Sequence, residues 1–228
     1  MSDKLLELKD ICKSYRDGSG KRVILDKVSL TVGRGEFAAI VGPSGSGKST
    51  FLSVAGLLLT PDSGKVLIGG KDVTDAYKSE RTMIRRRQLG FIFQSHNLVP
   101  YLTTADQLAI VQEKSMREKV KIRELLSELE IDDCRDKFPS MMSGGEKQRT
   151  AIARAFINDP DVILADEPTA SLDAERGRLA VEMIRNEVRK RNKAAVMVTH
   201  DTRVLDLVDV VYRIDGGRLI PEAKSGEI

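Results

Sequence analysis

A glycine-rich loop, Gly42 to Thr50, lies between two apolar segments of the chain. The segment before it, 36–41, is continuous and β-branched at its end, which predicts a buried parallel strand. The segment after it, 51–59, predicts a buried helix. A strand that passes through a glycine-rich turn into a helix is typical of a phosphate-binding α/β fold. The loop therefore constrains the fold more than any other feature of the sequence.

The loop has the spacing Gly-x-x-x-x-Gly-Lys-Ser, which suits the phosphates of a nucleotide. Its glycines let backbone N–H groups close around phosphate oxygens, and the following helix adds a favourable dipole. Lys48 is predicted to neutralise the β- and γ-phosphates, and the Ser49 hydroxyl to bind Mg²⁺. The nucleotide-binding residues predicted in the loop are Gly42, Pro43, Ser44, Gly45, Ser46, Gly47, Lys48, Ser49 and Thr50. The alternative, a chance glycine-rich turn, does not account for the flanking strand and helix.

A second segment, 161–167, places two adjacent carboxylates at the end of an apolar strand. Ligands of open α/β sheets bind at the carboxyl ends of the strands, so Asp166 and Glu167 are predicted to lie beside the loop. Asp166 is expected to hold Mg²⁺, directly or through water, and Glu167 to orient and deprotonate an attacking water. A pair of surface acids is the alternative, but two carboxylates ending a buried strand are costly without a partner.

A third segment, Ser143 to Glu146, has the spacing of a helix capping box. Gly144 and Gly145 would leave backbone N–H groups free at a helix start, which makes this segment a second anion site. If it and the Gly42 loop each begin a helix in a different lobe, one chain cannot place both on the same γ-phosphate. A head-to-tail pair of chains can, so the sequence predicts that two copies share each site.

Composition excludes several classes of function. The 228 residues suit one large α/β domain. A net charge of +3, with no Trp and 4% aromatic residues, argues against nucleic acid as a partner. Two cysteines, Cys12 and Cys134, have neither the number nor the spacing of a disulfide framework, which favours a reducing cytoplasm. We expect no signal peptide, and the longest apolar stretch is far below the ~20 residues that span a bilayer.

The chain is predicted to form a core with a helical insertion. Its first third has the pattern of short strands and turns, and its last third alternates strands with a helix. Between them, Thr104 with Gln107 and Ser115 with Glu118 each match a capping box, and an amphipathic pattern follows. The prediction is one domain, 1–228, with 1–98 and 143–228 as the catalytic core lobe and 99–142 as a helical subdomain. A plain solvent-facing helix pair explains the 99–142 pattern equally well.

Together, the three segments resemble those of ABC transporter nucleotide-binding subunits, over essentially the whole chain. This resemblance implies a P-loop NTPase fold with a RecA-like core, an antiparallel β subdomain and a helical subdomain, and it implies ATP and Mg²⁺ as cofactors. Ser143 to Glu146 is similar to the family signature, which caps the ATP held by a second copy. Met142 departs from the leucine that the family usually has, and the swap preserves size and polarity.

The resemblance also implies roles for residues outside these segments. Tyr15 matches the aromatic residue that stacks on adenine, and Gln94 matches the Q-loop glutamine, which senses Mg²⁺ and the attacking water and contacts the membrane partner. Residues 171–173, ending in Asp173, match the D-loop that crosses the dimer interface, and His200 matches the switch histidine at the γ-phosphate. The implied catalytic residues are Lys48, Gln94, Glu167 and His200, and the implied Mg²⁺ ligands are Ser49, Gln94 and Asp166.

Two longer stretches, 90–102 and 164–174, resemble the MacB/LolD-type exporters and, within that group, the haem-efflux ATPases of HrtBA systems. The resemblance implies an ATPase at the cytoplasmic face of the cell membrane, bound to an HrtB-like permease and powering haem export. The alternatives are a regulatory, force-transmitting ABC ATPase, or an exporter of lipoprotein or antimicrobial peptide. A soluble ABC protein of DNA repair or translation fits less well. His96 is not expected to bind haem directly, and Arg85 to Arg87 are expected to form a solvated helix face near the membrane partner.

Overall fold

The computed structural model describes residues 3–18, 20–112, 118–170 and 172–222. Its strands are β1 (Lys4–Asp17), β2 (Gly20–Gly33), β3 (Phe37–Val41), β4 (Ser63–Ile68), β5 (Lys71–Asp72), β6 (Leu89–Ile92), β7 (Val162–Asp166), β8 (Ala194–Thr199), β9 (Val210–Asp215) and β10 (Arg218–Glu222). Its helices are α1 (Lys48–Ala55), α2 (Lys78–Gln88), α3 (Thr104–Ala109), α4 (Glu118–Glu128), α5 (Gly144–Phe156) and α6 (Ala174–Lys190). Short 3-10 helices cover Asp132–Cys134, Pro139–Met141 and Thr202–Leu207.

The strands of these described ranges form two sheets. One has the order β10-β9-β3-β8-β7-β6, in which neighbours from β9 to β6 are parallel and β10 is an antiparallel edge. The other is antiparallel, with the order β2-β1-β4-β5. Every residue of β3 and β8 is buried, as expected for central parallel strands with covered faces.

The parallel sheet separates two hydrophobic cores, because successive residues of a strand point to opposite faces. On β3, Phe37 and Ala39 belong to the core that contains residues of α4, α5 and α6. Ala38 and Ile40 belong to the other core, which contains residues of α1 and of the antiparallel sheet. Both faces of β3 are therefore packed against a hydrophobic core, which accounts for its continuous apolar sequence.

Three neighbouring strands of the parallel sheet end at the same edge, within one residue of one another. Val41, the last residue of β3, lies beside Thr199, the last residue of β8. Asp166, the last residue of β7, lies beside Val198 on the other side of β8. The glycine loop, Glu167 and His200 therefore all begin at this edge, as predicted for ligand-binding residues of an open α/β sheet.

The predicted helix over 51–59 is wrong in its extent, because α1 begins at Lys48 and ends at Ala55. At Gly56 a Cβ atom would lie 2.5 Å from the Phe91 ring, and Leu57 adopts a left-handed backbone with φ of 56°. The chain therefore turns where the Phe91 ring packs against a residue without a side chain.

The capping box predicted at Thr104 and Gln107 is also wrong, since the structure forms it one residue earlier. Thr103 Oγ1 accepts from the backbone N–H of Asp106 at 3.2 Å, and Asp106 Oδ2 accepts from that of Thr103 at 3.2 Å. The Gln107 amide is buried and donates to Val99 O at 2.6 Å instead. Ser115 of the second predicted box lies outside the described residues.

The interval from 99 to 142 contains α3, α4 and two 3-10 helices, and its separation as a subdomain stays a prediction. No helix among the described residues is both long enough and apolar enough to span a bilayer.

Candidate functional site

The glycine loop wraps the start of α1. Gly45 and Gly47 have φ of 77° and 106°, a backbone region that favours glycine. Gly47 is the N-cap of α1 and supplies no side-chain acceptor, and the first turn contains no acidic residue. The first N–H groups of a helix have no acceptor within that helix, so they are directed at the loop interior. This helix start has the donors and the dipole that a phosphate group requires.

The Lys48 side chain lies along the same loop. Its ammonium group donates to Gly42 O at 2.7 Å and to Pro43 O at 3.0 Å, and the residue is only 9% exposed. A Cβ atom on Gly42 would lie 2.6 Å from Ile214 O, which shows how closely the loop approaches β9. The carbonyl groups of the loop therefore hold the Lys48 ammonium group at the place where phosphate oxygens would bind.

One cavity of about 720 Å³ collects most of the predicted site residues, and its volume suits a nucleotide. The predicted site residues that line this cavity are Tyr15, Gly42, Pro43, Ser44, Gly45, Gly47, Lys48, Ser49, Thr50, Gln94, Asp166, Glu167 and His200. Ser46 is not in the wall, and its hydroxyl is buried without a hydrogen-bond partner in the described part of the chain. The structure thus brings together residues from five separate segments of the sequence.

Arg22 and Ile24 also line this cavity, and sequence reasoning missed both. They lie on β2, where Arg22 is paired with Tyr15 across the antiparallel sheet. Lys13 Nζ lies 5.9 Å from the centroid of the Tyr15 ring, so that ring has basic side chains near it. Only the register of β1 against β2 reveals this position, because nothing in the local sequence of β2 marks a site.

Glu167 and His200 are in direct contact. One carboxylate oxygen, Glu167 Oε2, lies 2.9 Å from His200 Nδ1 and accepts from the His200 backbone N–H at 3.1 Å. Glu167 has a left-handed backbone with φ of 46°, and its own N–H donates to Val198 O at 2.9 Å. The side chain of Glu167 is 12% exposed while that of His200 is 68% exposed. The histidine therefore orients a carboxylate at the cavity wall and remains accessible to a ligand.

Asp166 is the second carboxylate of the cavity. Burial raises the pKa of Asp166, the neighbouring Glu167 charge raises it further, and the Lys48 charge opposes the rise. Two adjacent carboxylates in a partly buried wall favour a cation between them and the ligand. Ser49 and Gln94 line the same cavity and provide further oxygen atoms. The donor set of hydroxyl, amide and carboxylate oxygens is the type that Mg²⁺ prefers.

Ser143 to Glu146 lie elsewhere, at the start of α5. The predicted capping box is confirmed: Ser143 Oγ accepts from Glu146 N at 3.2 Å, and Glu146 Oε2 accepts from Ser143 N at 2.6 Å. Ser143, Gly145 and Glu146 line a different cavity of about 480 Å³, beside Leu172 of the segment before α6. A single chain therefore does not bring this segment to the Lys48 cavity.

Asp173 also lies outside the Lys48 cavity. It is the N-cap of α6, where its Oδ1 accepts from Arg176 N at 2.9 Å. Ser171, the first residue of the predicted D-loop, lies outside the described residues.

The family model of the ABC transporter matches residues 25–170, which contain the glycine loop, the Ser143 segment and both carboxylates. The chain belongs to the ABC transporter family. It is an ATP-binding subunit of that family and an ATPase, and the P-loop fold implied by its sequence is confirmed.

Curated ABC relatives match almost the full length. The chain is 44% identical over 218 residues to the putative hemin import ATP-binding protein HrtA of Staphylococcus haemolyticus, covering 94% of this chain and 98% of that protein. It is 42% identical over 219 residues, with the same coverages, to the HrtA of Staphylococcus aureus strain MRSA252.

Solved ABC cassettes share the fold. The bacterial ABC transporter cassette MJ0796 in its dimeric form has a TM-score of 0.86 and 34% identity, covering 98% of this chain and 100% of that chain. A second dimeric structure of MJ0796 shows a post-hydrolysis state bound to ADP and Pi. The protein cbiO1 of Clostridium perfringens, part of the complex cbiONQ, has a TM-score of 0.84 and 25% identity over 96% of this chain and 88% of that chain.

Proposed function

We propose that this ABC ATPase hydrolyses ATP in a sandwich of two copies and thereby powers a membrane transporter of haem. The observation that carries the proposal is the separation of two complementary surfaces. One cavity contains Lys48, Asp166, Glu167 and His200, while the anion-binding start of α5 faces another cavity. A second copy, placed head to tail, supplies the missing surface to each site. The dimeric form of MJ0796 supports the arrangement.

Within each site the residues of the chain have distinct tasks. The helix start of α1 and Lys48 bind the phosphates, and Tyr15 and Arg22 lie where the base and ribose would extend. Ser49, Gln94 and Asp166 would hold Mg²⁺, which neutralises charge on the phosphate oxygens.

Glu167 acts on the attacking water. Its carboxylate, held by His200 at 2.9 Å, orients the water and accepts its proton as the oxygen attacks the γ-phosphorus. The bond from that phosphorus to the β–γ bridging oxygen breaks, so ADP carries away the electron pair and inorganic phosphate remains. Lys48 stabilises the negative charge that develops on the phosphate oxygens, and the Ser143 segment of the second copy does the same from the other side.

Replacing Glu167 by Gln tests these roles, because glutamine keeps the size of the side chain and cannot accept the proton. We expect Glu167→Gln to bind ATP and to accumulate as a closed dimer, measured by size-exclusion chromatography with light scattering. Glu124→Gln, which changes an exposed acid on α4, is the matched control and should hydrolyse ATP normally. Unchanged turnover in Glu167→Gln would contradict the role of Glu167.

We infer that the permease docks beside Gln94. A groove of about 440 Å³ there is lined by apolar side chains, including Leu58, Phe91, Phe93 and Ile110, and by the basic Arg85. Phe91 and Phe93 stack with ring centroids 5.7 Å apart, which gives the groove a flat floor. A short permease helix with apolar and acidic side chains fits this chemistry. Such docking would keep the ATPase at the cytoplasmic face of the membrane.

Arg85 and Arg86 are more than a solvated face. Arg85 donates to Leu57 O at 3.0 Å, and Arg86 donates to Gln112 O at 2.7 Å. These bonds hold the groove walls together, so the basic run shapes the docking surface as well as charging it.

Haem as cargo rests on the HrtA relatives and on the exporter resemblance of residues 90–102 and 164–174. We place haem on an HrtB-like permease and assign no haem ligand to His96. The relatives carry the word import in their names, whereas the exporter resemblance favours efflux.

Deletion of this protein should make cells sensitive to haem, and a Lys48→Ala copy should not restore resistance. Vesicles decide the direction: ATP-driven haem accumulation in inside-out vesicles demonstrates efflux, and normal growth of the deletion strain in toxic haem contradicts the cargo.

A further inference from the structure

The carboxylate of Glu146 is held from two sides. One oxygen, Oε2, accepts from the Ser143 backbone N–H at 2.6 Å and closes the capping box. The other, Oε1, accepts from the Cys134 thiol at 2.9 Å and from the Lys137 ammonium at 3.0 Å. Cys134 and Lys137 lie outside α5 and do not line the ATP cavity. The first turn of α5 is therefore anchored by two side chains that precede it.

The charges of this cluster support the same arrangement. Hydrogen bonds from Cys134, from the Ser143 backbone and from Lys137 lower the pKa of Glu146 to about 2. Burial, followed by the bond to the Glu146 carboxylate, raises the pKa of the Cys134 thiol to about 11. At neutral pH Glu146 is consequently ionised, and Cys134 keeps the proton that it donates.

The turn that carries Cys134 and Lys137 is also attached to the helical insertion. Lys137 O accepts from Thr104 N at 3.0 Å, and Arg135 O accepts from Ala105 N at 2.9 Å, both at the start of α3. Cys134 is 2% exposed and belongs to the hydrophobic core that contains α4 residues. The turn thus connects the start of α3, the packing of α4 and the start of α5.

We propose that Cys134 and Lys137 are positioning residues that hold Ser143, Gly144 and Gly145 in the geometry with which they close the ATP of a second chain. This inference rests on the proposed function, because it requires those residues to act across a dimer. Without the second anchor, Glu146 rotates away from Ser143 N, the capping box opens and the first turn of α5 frays. The N–H groups offered to the partner's ATP then lose their alignment.

The test compares dimerisation with single-chain ATP binding. In the Glu167→Gln background, Cys134→Ala and Lys137→Met should each raise the ATP concentration for half-maximal dimerisation about tenfold, as expected for one lost hydrogen bond to a charged group. ATP binding at protein concentrations too low for dimers should not change, because neither residue lines the cavity. In the active protein, both variants should lower kcat.

Conservative and distant variants separate positioning from general packing. Cys134→Ser keeps a donor and should restore most of the dimerisation. Cys12→Ala removes the other thiol, which accepts from Lys27 N at 3.3 Å away from this cluster, and should behave like the parent. If Cys134→Ala does not fold, Lys137→Met decides the matter, since its side chain is 34% exposed.

The results of this test distinguish a failure of the positioning role from a failure of the proposed function. If the Glu167→Gln parent fails to dimerise with ATP, the shared-site function is overturned and the inference with it. If the parent dimerises and both variants dimerise at the same ATP concentration, only the positioning role is overturned. A parallel loss of thermal stability, single-chain binding and dimerisation would show a purely structural role and would also overturn it.

Discussion

Gly145 is a glycine that the described residues around it do not require. Among the described residues, a Cβ atom built at Gly145 meets nothing within 4 Å, and one built at Gly144 meets Leu172 Cδ2 at 4.0 Å. Neither residue has a positive φ. We therefore attribute this glycine to a ligand from outside the chain, and in the proposed dimer the ATP of the second copy would approach this close.

Gly145→Ala should stabilise the separate chain while it damages catalysis. Alanine in a helix is favoured over glycine by up to about 1 kcal/mol, so we expect a gain of about 0.5–1 kcal/mol in the free energy of unfolding. For a chain of this size, that gain raises Tm by about 2 °C. The added methyl group pushes the partner's phosphate from the first-turn N–H groups, and losing one such bond to a charged group should lower ATPase activity about 10- to 100-fold.

The assay pairs calorimetry of the ATP-free chain with steady-state ATPase rates. Gly90→Ala is the control for a glycine that the fold itself requires, because its Cβ atom would lie 2.3 Å from Ala155 O. That variant should lose about 1–3 kcal/mol and several degrees of Tm. The reasoning is refuted if Gly145→Ala lowers Tm as Gly90→Ala does, or if Gly145→Ala hydrolyses ATP at the normal rate.

Two other perturbations test a contact in the ATP cavity and a hydrogen-bond cluster on β1 beside it. His200→Ala removes the 2.9 Å contact to Glu167 and should lower kcat by about 100-fold with little change in ATP binding; a normal kcat would contradict the orienting role. Hydrogen bonds from Ser14 and Lys13 lower the pKa of Asp62 from 3.8 to about 2, so its stabilising contribution is complete above pH 3.8 and lost as the pH falls towards 2. Between pH 5 and pH 2, the free energy of unfolding measured in urea titrations should therefore fall less for Asp62→Asn than for the parent. The same fall of that free energy in both proteins would contradict the role of Asp62.

Residues that are contiguous in the chain could be predicted from the sequence, because their chemistry depends on local spacing. The glycine loop, the paired carboxylates and the Ser143 capping box each specify a turn, a strand end or a helix start within a few residues. The continuous apolar segment 36–41 correctly predicted a buried parallel strand, β3. At the start of α3, Thr103 with Asp106 and Thr104 with Gln107 have the same spacing. The capping box was therefore predicted one residue too late.

The contacts between distant segments could not be predicted, because packing and strand register decide them. Arg22 joins the cavity wall only through its pairing with Tyr15, and Cys134 reaches Glu146 only because the preceding turn docks on α3. The sequence by itself determined the ATP chemistry and the family. The tertiary structure decided that the starts of α1 and α5 face different cavities, since the two helices pack on opposite faces of the parallel sheet. This separation is the reason why we propose a second chain at each site.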